Sequence, residues 1–306
     1  MGSAFFACPP LEVLLQEEAF ELVAVVTQPD RPAGRGRKLR PTPIKELCAK
    51  LGREVIQPDS VNDESFLSEL RALSLEVIVV VAFGQKLGNE LLWLPRLGCV
   101  NLHGSLLPAL RGAAPIQWAL INGLSETGVT TIMMAEKIDA GSMLLQRATP
   151  IGDDDDCGRL HDRLAEMGAR LLVETLLGLA DGRITPQPQD PSLVTRAPKI
   201  NSADREVNWR EEARAVFNRI RAFCPLPGAR SGLDGRMVKL LGVRLGESSG
   251  EMMEAGTILT IDEEGAVIAC GQGSVIVSRM QMEGGRPSSP KALLAGRRIK
   301  EGSVLG

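Results

Sequence analysis

The chain has 306 residues, a length that suits two domains better than one small core. Apolar residues make up 44% and charged residues 24%, an ordinary globular balance. The formal net charge of −3 excludes a generally basic nucleic-acid coat but leaves room for a local basic patch, and no apolar run approaches the roughly 20 residues of a membrane span.

In chain order, residues 1–9 read as a strand-to-helix turn with no strand before it. A doubly wound sheet normally opens with a strand in its middle. Either the sheet lacks it, or the start lies upstream, or Met1-Gly2-Ser3 is a cloning remnant. Residues 22–26 are a continuous apolar run rich in β-branched valine, the mark of a strand buried on both faces. Residues 31–45 hold six basic side chains and no acidic one, and their Gly and Pro content predicts a mobile loop rather than a strand. That loop does not fit the phosphate-binding G-x-x-x-x-G-K-[ST] pattern and suits phosphodiester contact instead. A short helix is expected over 43–51, a short strand over 54–57, and a helical stripe at Phe66, Leu67, Leu70 and Leu73.

Residues 77–82 form the clearest buried strand, and residues 98–103 form another. Strands alternating with helices predict an α/β fold: a mostly parallel sheet with helices on both faces. Ligands of such sheets bind outside the carboxyl ends of the strands. A helix over 114–121, a β pair at 129–135 and 143–151, and a long helix over 158–179 follow. The acidic run at 153–156 reads as the charged cap of that helix, and His161 as a structural or surface residue. Three prolines mark 185–192 as a linker. A helix over 204–222 precedes short glycine-broken strands from 238 to 280, the pattern of a small β-barrel.

His103 and His161 are the two histidines, so imidazole chemistry has two candidates. Asn101 and His103 end a buried strand, and residues two apart on a strand face the same side. A carboxamide and an imidazole can both donate to a developing oxyanion, and an imidazole can shuttle a proton. The pair suits attack by an amine on an acyl or formyl carbon, with Asp139 a candidate to orient the imidazole. Residue type and spacing alone leave structural readings open for all three: a satisfied core histidine, a turn-forming Asn, an ordinary Asp-Ala-Gly turn. The six cysteines form no C-x-x-C pair and read as reduced thiols of a cytoplasmic protein.

Asn101-Leu102-His103, Ser105-Leu106-Leu107-Pro108, Arg111-Gly112-Ala113-Ala114-Pro115-Ile116 and Asp139 together resemble the 10-formyltetrahydrofolate-dependent formyltransferases. The run from Val25 to Gly36 resembles the branch of that family that acts on initiator tRNA. Other members take sugar-nucleotide or purine-precursor amines and differ at that loop. The resemblance continues through Ala197-Pro198-Lys199-Ile200, Ile220-Arg221-Ala222-Phe223 and Gly284-Gly285, so it covers essentially the whole chain.

The resemblance implies a Rossmann-like catalytic domain over 1–184, a linker over 185–203 and an OB-like barrel over 204–306 that helps hold the tRNA. It implies Asn101, His103 and Asp139 as the catalytic trio. Phe83 and Gly84, with Ser105, Leu106, Leu107 and Pro108, would hold the folate. Arg31, Arg35, Arg37, Lys38 and Arg40 would enter the acceptor end of methionyl initiator tRNA, with Lys199 near the substrates. The donor would be 10-formyltetrahydrofolate, with no metal and no membrane, in a monomer. Two departures stand out: the family's opening strand is missing before Gly2, and Phe83 stands where a tyrosine is common. A formyltransferase for a small amine such as an amino sugar, or a non-catalytic RNA-binding protein, are the alternatives.

Overall fold

Of the strand expected over 77–82, residues 78–80 lie inside a sheet and Val81 adds a bridge to Gly2, and the alternation of their side chains sets the layers around it. The computed structural model describes residues 1–33, 36, 38–246 and 254–306. Two compact units emerge: residues 1–112, 128–149 and 161–196 in the first, and residues 113–127, 150–160 and 197–306 in the second. The elements in order are α1 (Cys8–Gln16), β1 (Arg31–Ala33), β2 (Lys38–Arg40), α2 (Pro43–Lys50), α3 (Glu64–Ala72), β3 (Ile78–Val80), α4 (Asn89–Trp93), β4 (Cys99–His103), α5 (Pro115–Ile121), β5 (Glu126–Met133), β6 (Met143–Pro150) and α6 (Cys157–Ala180). After them come α7 (Ala213–Arg221), β7 (Ala229–Leu233), β8 (Arg236–Leu245), β9 (Ile258–Ile261), β10 (Ala266–Ala269), β11 (Ser274–Met282) and α8 (Pro290–Ala295).

The first sheet has the order β3-β4-β5-β6. β3 runs parallel to β4, and β5 runs antiparallel to it. Parallel bridges Gly2–Val81 and Val26–Ile56 extend the order beyond β3. Ile78, Val80 and Cys99 point to one face and pack with Phe66, Leu67 and Leu70 of α3 and Leu91 and Leu92 of α4. Val100 points to the other face and packs with Leu14 of α1 and Leu172 and Leu176 of α6. The period-2 alternation thus feeds two apolar layers, which is why residues 77–82 read as an unbroken apolar run.

Residues 22–26 depart from expectation. They form no strand; only Val26 makes a bridge. Val25 accepts from the Ile56 amide on one side, but residues 22–25 face an apolar cavity of about 500 Å³ on the other, shared with Val77, Ile78 and Val79. A run rich in β-branched residues needs a ladder partner on each side to become an inner strand, and here the second side is met only at Val26, whose carbonyl accepts the Gly2 amide at 3.0 Å.

In the second unit the antiparallel order is β7-β8-β11-β10-β9. The chain end joins the two edges: Leu305 bridges Leu233, the last residue of β7, and Val304 bridges Thr257 just before β9. The five strands and this segment close the barrel that the glycine-broken pattern predicts. The helix expected over 204–222 is confined to α7. Val207 donates its amide to the Arg230 carbonyl, and Trp209 Nε1 donates to Ser231 Oγ at 2.9 Å, which holds 206–209 extended along β7. Among the described residues, no helix is long and apolar enough to cross a membrane.

Candidate active site

The register of β4 fixes where its side chains emerge. Asn101 lies opposite Val80 of β3 and Ile132 of β5, and His103 lies opposite Thr130 of β5. Asn101 Nδ2 donates to the Val80 carbonyl at 2.9 Å. A carbonyl only accepts, so this contact sets which way the amide points. Asn101 Oδ1 is then buried without a hydrogen-bond partner among the described residues. A buried acceptor left alone is costly, roughly 1–3 kcal/mol, which marks it as a group awaiting a donor.

His103 is 6% exposed. Its Nε2 lies 3.0 Å from the Leu110 carbonyl, so Nε2 carries the hydrogen. Its Nδ1 lies 3.7 Å from Asp139 Oδ1, beyond direct hydrogen-bond range. The structure therefore brings together His103 and Asp139, which the sequence separates by a helix and a strand. Asp139 Oδ2 accepts the Gly112 amide at 2.9 Å. Asp139 has φ +53° and Leu110 φ +60°, left-handed values that a non-glycine residue seldom adopts. Such a conformation costs about 1–3 kcal/mol. A hydrogen bond to a charged group contributes about 1.5–3 kcal/mol, so the Gly112 contact alone can offset the strain at Asp139. The turn is also crowded: a Cβ on Gly141 would stand 1.7 Å from the Met133 carbonyl.

The loop after β4 is held from beneath. Thr130 Oγ1 donates to the Ser105 carbonyl at 2.6 Å and accepts the Leu107 amide at 3.1 Å. Gln146 Nε2 donates to the Leu107 carbonyl at 2.7 Å and to Thr130 Oγ1. Ser105 Oγ donates to the Ala109 carbonyl at 2.6 Å and is buried, so its hydroxyl shapes the loop. Leu107 is buried, while Leu106 and Pro108 are half-buried. Phe83 is 3% exposed and its ring packs in the core with Leu87 and Val80. What Phe83 and exposed Gly84 present outward is main chain. Gln28 Nε2 donates to the Phe83 carbonyl at 3.2 Å.

The basic stretch is ordered where it is described, against the expected loop. β1 and β2 form a two-stranded ladder that sets Arg31 opposite Arg40 and Ala33 opposite Lys38. Pro32 has no ladder donor to give, but a two-stranded arm is all edge and tolerates it. Arg31 donates to Gln28 Oε1 at 2.9 Å, tying the arm's base to the residue that holds Phe83. Lys38 and Arg40 are exposed, and Lys45 is paired with Asp30. Arg35 and Arg37 lie outside the described residues. Lys199 is exposed in the second unit.

Burial pushes the Cys99 thiol, at the start of β4, up to about 12, so it stays protonated and serves as core. Among the described residues, no group of three or more His, Cys, Asp or Glu could hold a metal ion. Sequence reasoning missed Thr130, Gln146, Gln189 and Thr195. Gln189 and Thr195 show in the sequence only as polar residues in and just beyond a proline-rich stretch, with no periodicity to say where they point.

The chain matches the family Formyl transferase over residues 4–176 and the family Formyl transferase, C-terminal domain, over residues 199–298. It is 46% identical over 306 residues to the methionyl-tRNA formyltransferase of Geobacter sulfurreducens, covering 100% of this chain and 95% of that one. It is 44% identical over 306 residues to the enzyme of the same name from Moorella thermoacetica, covering 100% and 98%. Among solved structures, an N-formyltransferase from Helicobacter canadensis, in complex with folinic acid and dTDP-3-aminofucose, aligns with TM-score 0.63 and 18% identity over 90% of this chain and 96% of that one. HypX from Aquifex aeolicus in complex with tetrahydrofolic acid aligns with TM-score 0.61 and 21% identity, over 81% and 43%. At those identities the two structures speak for the fold.

Proposed function

The chain belongs to the formyl transferase family, and from that premise we propose that it moves the formyl group of 10-formyltetrahydrofolate onto the α-amine of methionyl initiator tRNA. The likeness to methionyl-tRNA formyltransferases spans all 306 residues, whereas the sugar enzyme is a distant neighbour. The observation that carries the chemistry is the His103–Asp139 pair at the carboxyl end of β4, on the strand that also bears the Asn101 oxygen, which has no partner among the described residues.

The amine nitrogen attacks the formyl carbon, a tetrahedral intermediate forms, and the bond from that carbon to the folate nitrogen breaks. The amine loses a proton and the leaving folate nitrogen gains one. Asn101 keeps one amide hydrogen on Val80 and has a second to offer the intermediate's oxygen. His103 Nε2 is committed to Leu110, so Nδ1, on the side of Asp139, is the nitrogen that contacts the reacting atoms. His103 takes the amine proton at Nδ1 and passes it to the leaving folate nitrogen, and Asp139 stabilises the imidazolium that forms in between. The Phe83–Gly84 main chain and the braced loop from Ser105 to Pro108, with Leu106 and Leu107, would hold the folate.

Arg31, Lys38 and Arg40, with Arg35 and Arg37, would meet the acceptor stem. The ladder supports this, because like charges directly opposite on a ribbon repel and a polyanion relieves them. Residues 1–184 would carry the chemistry, 185–203 connect, and 204–306, together with Lys199, help hold the tRNA. The protein would act as a cytoplasmic monomer. Incubation with formyl-labelled 10-formyltetrahydrofolate and charged initiator tRNA tests this: label should appear on the methionine. Label on a dTDP-amino sugar instead, or tight tRNA binding with no transfer, would overturn it.

A further inference from the structure

The stretch read as a linker does more than connect. Gln187 pairs with Met143 through both main-chain hydrogen bonds, and residues 185–196 belong to the first unit. Gln189 follows and is 9% exposed. Its Nε2 donates to the Asp139 carbonyl at 2.8 Å and to the Gly141 carbonyl at 2.7 Å. Its Oε1 accepts from Arg111 Nε at 2.9 Å and a terminal Arg111 nitrogen at 2.7 Å. Both amide hydrogens and both lone pairs are therefore used, so the amide has one orientation. It clasps the turn that holds Asp139 at a left-handed φ.

Thr195 acts on the other catalytic side chain. Its Oγ1 accepts the Leu110 amide at 2.8 Å, and its carbonyl accepts the Arg111 amide at 3.0 Å. Leu110 is the second left-handed residue, and its carbonyl receives His103 Nε2. Gly112, next along, donates to Asp139. We propose that residues 189–195 form a brace that positions both His103 and Asp139, acting through Gln189 and Thr195. This rests on reading that pair as the reacting one. Gln189 and Thr195 are positioning residues: neither needs to touch substrate.

Q189E is the discriminating change. It keeps the side chain's shape and an acceptor for Arg111, but it turns the donors facing the Asp139 and Gly141 carbonyls into an oxygen that repels them. Formyl transfer to charged initiator tRNA would be measured for wild type, Q189E, D139N and the double variant. Q189E should lower kcat about 10–100-fold, as loss of a supporting shell commonly does, with KM for the tRNA within about twofold. In the D139N background the same change should cost less than about twofold, because the aspartate it positions is gone. Q189E at wild-type kcat beside a slow D139N overturns the brace, as does an equal loss in both backgrounds. D139N at full rate overturns the reading of the pair, and the brace with it. Should Q189E lack the native circular dichroism spectrum, T195V carries the same test at His103: a kcat drop of about tenfold at unchanged KM supports the brace, and wild-type kcat overturns it.

Discussion

At Asn101 a single carbonyl sets which way the amide points. Val80 takes one amide hydrogen, the other remains, and the oxygen stands buried without a donor among the described residues. N101A should therefore lower kcat about 10²–10³-fold, the loss seen when one oxyanion donor is removed, while tRNA affinity holds. An equal fall in affinity would show that Asn101 binds rather than reacts. This much was legible: the period of a strand puts 101 and 103 on one face, and two histidines leave few options. Asp139 was a candidate from residue type and was singled out by the resemblance, but how it reaches His103 was not legible, because that depends on a left-handed turn and on Gly112, Gln189 and Arg111 converging from distant parts of the chain. Turn residues announce a bend but not what the bend faces.

Among the elements, the β1–β2 ladder shows how glycine and proline mislead. Their density between 31 and 45 predicts a loop, yet a two-stranded arm needs only three residues on each side. Strand runs misled in the opposite sense at 22–26, where propensity is high and the neighbour is a cavity. Propensity reports a local preference, and pairing on both sides makes the strand. The arm's exposure gives a direct prediction. K38A/R40A should reduce the slope of log affinity for tRNA against log salt by about 1.4–1.8, at roughly 0.7–0.9 per phosphate contact. An unchanged slope would remove the arm from the tRNA.

Over the whole molecule, both the sheet and the barrel were readable because each rests on a repeated pattern: alternating strand and helix in one, glycine-broken strands in the other. The brace was not, because it rests on single side chains. The thiols supply a global test. Burial pushes Cys99, Cys157, Cys224 and Cys270 up to about 12 from an ordinary 9.0. A group whose native pKa is raised stabilises fully below its unfolded value and less as pH climbs toward the native one. Stability should thus begin to fall above about pH 9, and a thiol reagent at about pH 8 should leave these four untouched until denaturant is added. Rapid modification of the native protein at all four would contradict their burial. The central claim is that formyl transfer to methionyl-tRNA runs through the His103–Asp139 pair. Its most direct test is the single-turnover transfer rate of D139N against wild type, with enzyme in excess and donor saturating. The account predicts a rate at least about 100-fold slower, with the enzyme concentration for half-saturation unchanged; transfer at the wild-type rate would contradict it.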